Sequence, residues 1–167
     1  MYFSSLFNHT KTNEMKNLFL VLIIFLGGMI TSQAQNYDSA IGLRLGYPNS
    51  VTYKKFISET NAIELYGGIR RFDGSSLINF NGAYQIHTPI EAVDNLLWYY
   101  GAGAGVGLGS GFTSISLSGY IGLDYKFDKL PISLSVDYVP TYFLGSSDLN
   151  FQVGYGNLAV RYILDDY

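Results

Sequence analysis

The sequence predicts an all-β fold, an eight-stranded antiparallel up-and-down transmembrane β-barrel preceded by a cleavable signal peptide. Three observations predict it. An apolar, export-type segment lies near the start of the 167-residue chain. After it, apolar and small or polar residues alternate with period two in eight successive segments, the period of a half-buried strand. Charged residues make up 14% of the chain against 16% aromatics, whereas a water-facing surface usually carries about 25–35% charge.

The export segment reads MKNLFLVLIIFLGGMITSQAQ from Met15: a lysine, an apolar run from Leu18 to Ile30, then Ser32-Gln33-Ala34. This is the pattern of a secretory signal peptide over residues 15–34, with cleavage after Ala34. As a helix the run would rise about 20 Å, short of the ~30 Å hydrocarbon core, which disfavours a permanent anchor. Residues 1–14 are polar and precede a plausible initiator, so they read as an over-called start or an extended n-region. No lipobox-type cysteine follows the run. Residues 35–167 form the mature domain, with four Lys and four Arg against nine Asp and three Glu, a net charge of −4.

Within that domain no apolar run approaches the ~18 residues of a spanning helix. Segment one, residues 39 to 47, sets Ile41, Leu43, Leu45 and Tyr47 against Ala40, Gly42, Arg44 and Gly46. Segment two, 51 to 57, places Val51, Tyr53, Lys55 and Ile57 on one face, with a bulge expected near Lys54 and Lys55. Segment three, 62 to 72, opposes Ile63, Leu65 and Ile69 to Glu64, Tyr66 and Arg70. Segment four, 76 to 87, opposes Ile78, Phe80, Tyr84 and Ile86 to Asn79, Asn81, Ala83, Gln85 and His87. Segment five, 96 to 109, sets Trp98, Tyr100, Ala102, Ala104, Val106 and Leu108 against Tyr99 and a row of alternate glycines. Segment six, 114 to 127, is the cleanest, with Ile115, Leu117, Ile121, Leu123, Tyr125 and Phe127 opposite Ser116, Ser118, Tyr120, Gly122, Asp124 and Lys126. Segment seven opposes Ile132, Leu134, Val136 and Tyr138 to Ser133, Ser135 and Asp137, and a longer link is expected from Pro140 to Asn150. Segment eight opposes Leu158, Val160, Tyr162 and Leu164 to Ala159, Arg161 and Ile163, with a bulge or late start between Phe151 and Gly156. No helical pattern separates the segments to carry a parallel crossover, so the eight form a meander whose even count puts both termini on one side.

Alternation alone does not say which face points inward; composition does. In a soluble barrel the outer surface would consist of glycine, serine and tyrosine with hardly a lysine to solvate it. In a membrane barrel the same residues fill a narrow polar interior, and Leu, Ile, Val and aromatics meet lipid. Trp98, Tyr99, Tyr100, Tyr125, Phe127 and Tyr162 cluster where an aromatic girdle would lie, on the side of the termini. The signal ending Ser32-Gln33-Ala34-Gln35, the glycine-alternating Tyr100 to Gly109 and the closing Leu158-Ala159-Val160-Arg161-Tyr162-Ile163-Leu164 resemble the small outer-membrane β-barrel domain family of Gram-negative bacteria, the OmpX and OmpA-barrel class. The resemblance covers Ser39 to Leu164. It implies an integral outer-membrane location with both termini periplasmic, contact with outer-membrane lipids and lipopolysaccharide, and recognition of the last strand by the barrel-insertion machinery. The chain departs from the pattern in placing Leu164 where an aromatic is usual and in adding Asp165-Asp166-Tyr167.

With lipid outside, Arg44, Glu64, Arg70, Asp124, Lys126, Asp137 and Arg161 face the interior. An eight-stranded barrel is just wide enough to be filled by side chains, so these residues are expected to form a buried, mutually paired ion network of structural kind; the sharper reading is a gated pathway or a small-ligand cavity. A net charge of −3 with no basic stripe argues against nucleic acid. The glycine run lacks the Lys-Ser/Thr and helix of a phosphate loop. Without cysteine, and with one histidine in the mature domain, no metal, other cofactor or cysteine nucleophile is expected. His87, near the periplasmic rim with no serine at a neighbouring same-face position, reads as a satisfied rim histidine rather than part of a catalytic pair. The expected function is therefore a monomeric structural or interaction barrel without catalysis. A narrow porin-like transport or small-ligand or lipid-binding barrel is the second reading, and a lipid-modifying enzyme the third.

Overall fold

A computed structural model describes residues 37–46, 48–72, 75–109, 112–144 and 151–165. The signal segment 15–34 and residues 1–14 lie outside the described residues. Eight strands follow in chain order: β1 Ser39–Leu45, β2 Asn49–Phe56, β3 Asn61–Phe72, β4 Ser75–Pro89, β5 Leu96–Gly109, β6 Phe112–Lys126, β7 Ile132–Leu144 and β8 Phe151–Asp165. Each pairs antiparallel with the next, and β8 closes on β1, giving a closed barrel in the order β1 to β8. Closure removes the unpaired edges that an open sheet of this length would present.

The two-residue period survives intact around the wall. Ile41, Leu43 and Leu45 point outward from β1 while Arg44 points in; Ile115, Leu117, Ile121 and Leu123 point outward from β6 while Ser116, Tyr120 and Asp124 point in. The outward residues are large and apolar, and the inward ones small, polar or charged. Leu43 is 59% exposed and Ile69 63%, whereas Glu64 and Arg161 are 0% exposed. The barrel is thus turned inside out relative to a globular core. Outward Trp98 and Tyr100 stack with centroids 5.4 Å apart, and Tyr125 meets Phe127 edge-on at 5.0 Å. Tyr99 leaves the expected girdle: it points into the lumen and is fully buried.

Three local expectations change. No bulge interrupts β2, whose register with β1 and β3 runs unbroken through Lys54 and Lys55. Consecutive lysines need none, because the pleat sends Lys54 inward and Lys55 outward. β7 does not end at Tyr138 but continues through Pro140 to Leu144. Proline has no N–H to give to a ladder, and here it sits at the register shift between Val139 and Thr141, where β8 supplies an extra residue and Gly154 lies against the Pro140 nitrogen. The expected irregularity in β8 is therefore a bulge, in a strand that starts as early as Phe151. The longer link expected from Pro140 to Asn150 shrinks to 145–150, and the links on the side of the termini, 57–60, 90–95 and 127–131, are each longer than three of the four opposite.

The wall is uneven in one place. β1 has 7 residues and β2 has 8, against 12 to 15 in the other strands. At about 3.3 Å per residue and a tilt near 40°, the long strands raise a wall about 30 Å high. The β1–β2 hairpin reaches only about half of that.

Candidate functional site

The lumen is layered. At the end holding the termini, Tyr37, Ala40, Phe56, Ala62, Leu97 and Ile163 form an apolar cap. Tyr37 precedes β1 and packs edge-on against Phe56, with ring centroids 5.1 Å apart. The other five fall on the inward parity of their strands, so most of the cap follows from the same alternation that sets the wall.

Above the cap lies the charged layer. Glu64 on β3 is its hub: it accepts hydrogen bonds from Thr52 Oγ1 at 2.6 Å, Gln85 Nε2 at 2.7 Å, Arg44 Nη1 at 3.4 Å and the Arg161 guanidinium. Arg44 also donates to Asp137 Oδ1 at 2.7 Å, and Asp137 accepts from Tyr99 Oη at 2.6 Å and Asn157 Nδ2 at 3.0 Å. Lys54 donates to Asp124 Oδ2 at 2.8 Å, an oxygen that Tyr37 Oη approaches to 3.1 Å. Three cations, Arg44, Lys54 and Arg161, therefore face three carboxylates, Glu64, Asp124 and Asp137, for a net charge of zero. All six are buried. Burying that many charges singly would be prohibitive, and pairing with additional hydrogen bonds is what makes the layer tolerable. The Arg44 guanidinium further stacks over Tyr66 at 4.9 Å and the Lys54 ammonium over Tyr99 at 4.5 Å.

Of the seven residues picked from the sequence, Arg44, Glu64, Asp124, Asp137 and Arg161 join in this layer. Lys126 is half-buried at the last position of β6, one pleat beyond Asp124 and outside the layer's described ion pairs. The Arg70 side chain lies outside the described residues, although its backbone continues β3 on inward parity. Reading the sequence missed Lys54, because the expected bulge obscured the parity of β2. Parity was the available signal: position 54 shares a face with Thr52 and Phe56. It also missed the neutral members Thr52, Gln85, Tyr99 and Asn157, which hydrogen-bond the carboxylates.

His87 is a correction as well. It does not sit satisfied at a rim but is fully buried, stacked on Tyr99 with centroids 4.8 Å apart and tilted against Phe56 at 4.8 Å. Its Nε2 lies 3.3 Å from Lys54 Nζ. An ammonium can only donate, so Nε2 is the acceptor and the ring proton sits on Nδ1. Among the described residues the ring's one hydrogen-bond partner is Lys54, and no serine pairs with it.

Above the charged layer, Tyr66 and Tyr120 join hydroxyl to hydroxyl at 2.7 Å across the lumen. Beyond them a cavity of about 40 Å³ opens toward the other end, lined by neutral hydrogen-bonding side chains including Asn79, Asn81, Ser116, Ser118, Thr141 and Asn157. Glycine on the inward face of β5 and β6 makes room for the large inward rings: a side chain at Gly122 would collide with Tyr99. Among the described residues no group of three His, Cys, Asp or Glu side chains is placed to hold a metal ion. No family model matches the chain, and a search of curated proteins finds no similar sequence.

Proposed function

We propose that the chain is an integral outer-membrane β-barrel of a Gram-negative cell, exported by the segment 15–34, with both termini periplasmic and a structural or interaction role rather than catalysis. The observation that carries this reading is the inside-out distribution of the wall. Among the described side chains, Lys55 near one rim is the one charge on an outward strand position. The apolar residues exposed around the described wall of the barrel exceed the few hundred Å² that a soluble monomer exposes. A wall about 30 Å high matches the ~25 Å apolar band of transmembrane barrels and the hydrocarbon thickness. A closed barrel also meets the requirement that backbone groups in lipid be satisfied internally.

On this reading the barrel is monomeric, its partners are outer-membrane lipids and lipopolysaccharide, and its last strand is the segment offered to the insertion machinery. The filled lumen suits a protein that holds its place in the membrane and does not conduct. Fractionation tests it: the mature protein should sediment with the outer membrane and migrate faster on gels before boiling than after, because closed barrels resist detergent until heated. Recovery in the soluble periplasm would overturn the assignment.

A further inference from the structure

Among the described residues, the hydrogen bonds of the charged layer fall into two groups. Lys54, Asp124, Tyr37 and His87 make up one. The other is built on Glu64 and Asp137, which Arg44 joins, and Gln85 belongs to it through Glu64. One atom from each group, His87 Nδ1 and Gln85 Oε1, has no hydrogen-bond partner among the described residues, and both side chains are 0% exposed. The two residues stand two positions apart on the same inward face of β4. Turning either side chain over does not help. Gln85 Nε2 donates to Glu64 Oε2 at 2.7 Å, a contact that Oε1 would make repulsive, and His87 Nε2 already accepts from Lys54.

We infer that His87 and Gln85 form a binding site for a single buried water, which joins the two halves of the charged layer into one network. The pair offers one donor, the Nδ1 proton, and one acceptor, the amide oxygen. A lone cation would meet the donor and a lone anion the acceptor, and either would add a net charge to a layer whose six charges already sum to zero. Water accepts and donates through one heavy atom, and buried waters are held by otherwise unsatisfied polar groups of this kind. Alternate positions of a strand lie about 6–7 Å apart, a separation that two hydrogen bonds of ordinary length through one water suit. The neighbouring strand leaves that part of the lumen clear, because Gln85 pairs across the wall with Gly101, which has no side chain. With the water in place, Lys54, His87, Gln85 and Glu64 run as one chain of hydrogen bonds from β2 over β4 to β3, and each half holds the other's side chains in position. The site depends on the fold alone and is indifferent to what surrounds the barrel.

The test uses residues 35–167 in detergent micelles with ¹⁵N in histidine alone. That segment holds one histidine, His87, so a single imidazole reports the site. Nitrogen–proton correlation spectra should place the ring proton on Nδ1. A rotating-frame cross-peak from that proton to the water resonance is expected, with the sign of a water held longer than the molecule tumbles and not the sign of chemical exchange. Gln85→Met keeps the length of the side chain and removes the acceptor, and should weaken that cross-peak several-fold. Gln85→Asn, which draws the acceptor back by one bond, should do the same and serves where the methionine variant does not fold. A crystal structure should show one water within hydrogen-bonding reach of both atoms. A ring proton on Nε2, no cross-peak to held water, an unchanged cross-peak in a folded Gln85 variant, or a direct bond from Nδ1 to Oε1 in the crystal would each overturn the inference.

Discussion

Lys54 on β2 and Asp124 on β6 stand four strands apart in a barrel of eight, yet their side chains meet at 2.8 Å across the lumen. The pair ties opposite walls together, while Glu64 with Arg161 reaches across three strand steps and Arg44 with Asp137 across two. Removing one partner of a buried pair leaves the other charge without compensation, at a cost of about 3–5 kcal/mol. Lys54→Met and Asp124→Leu should each destabilise by that order, and the double variant by clearly less than their sum. Urea unfolding from lipid vesicles, followed by Trp98 fluorescence, measures the cycle. Additive losses would show that the pair contributes no coupling.

The apolar cap and the charged layer lie in series, so ions meet two barriers. Purified protein should give no stable ohmic conductance in planar bilayers. Large, uniform steps from single insertions would show a pathway that the side-chain packing does not contain.

Face assignment can be tested on one strand. Ile121 points outward from β6, while Ser118 points inward and shares a hydrogen bond with Thr141 Oγ1 at 2.9 Å. In a membrane, Ile121→Arg should cost about 2–4 kcal/mol near the midplane and a polar replacement of Ser118 much less. The chain has no native cysteine, so single cysteines at 118 and 121 can carry a fluorophore into brominated-lipid vesicles. Strong quenching from 121 and weak from 118 is expected; the reverse order would turn the barrel the other way out.

Two glycines of β6 make a matched pair. A methyl group on outward Gly119 would meet only Pro140 Cγ at 3.5 Å, an ordinary contact. On inward Gly122 it would come within 2.8 Å of Tyr99 Cζ and 2.6 Å of Asp137 Cβ. Gly119→Ala should therefore stay within about 0.5 kcal/mol of the parent, while Gly122→Ala should cost about 1–3 kcal/mol by overpacking. Equal stabilities in the same unfolding assay would contradict the packing around Tyr99.

His87→Ala should leave the lipid composition of the outer membrane unchanged, since the ring is wedged between Phe56 and Tyr99 with Lys54 at its Nε2. Mass spectrometry of extracted lipids from cells carrying the variant checks this. A missing deacylated or acyl-transferred product would reveal chemistry at that histidine.

By itself the sequence determined the number of strands, their order, and the face of nearly every residue, because a strand's side-chain period of two writes its two environments directly into composition. Segment five has the same bounds, 96 to 109, in sequence and structure, and parity together with composition places Glu64, Asp124 and Arg161 in the lumen. The strand ends were less legible: β7 passes through Pro140, which the sequence marks as a break, because a bulge on β8 frees that position from the ladder. What only the tertiary structure decided is who meets whom. Lys54 and Asp124 are separated by 70 positions, and their encounter depends on closure of the sheet and on its stagger, which no local pattern encodes. The lower reach of the β1–β2 hairpin has the same origin. It is a difference in height between one short hairpin and its neighbours, and height becomes a property of the molecule only when tilted strands are joined into a ring.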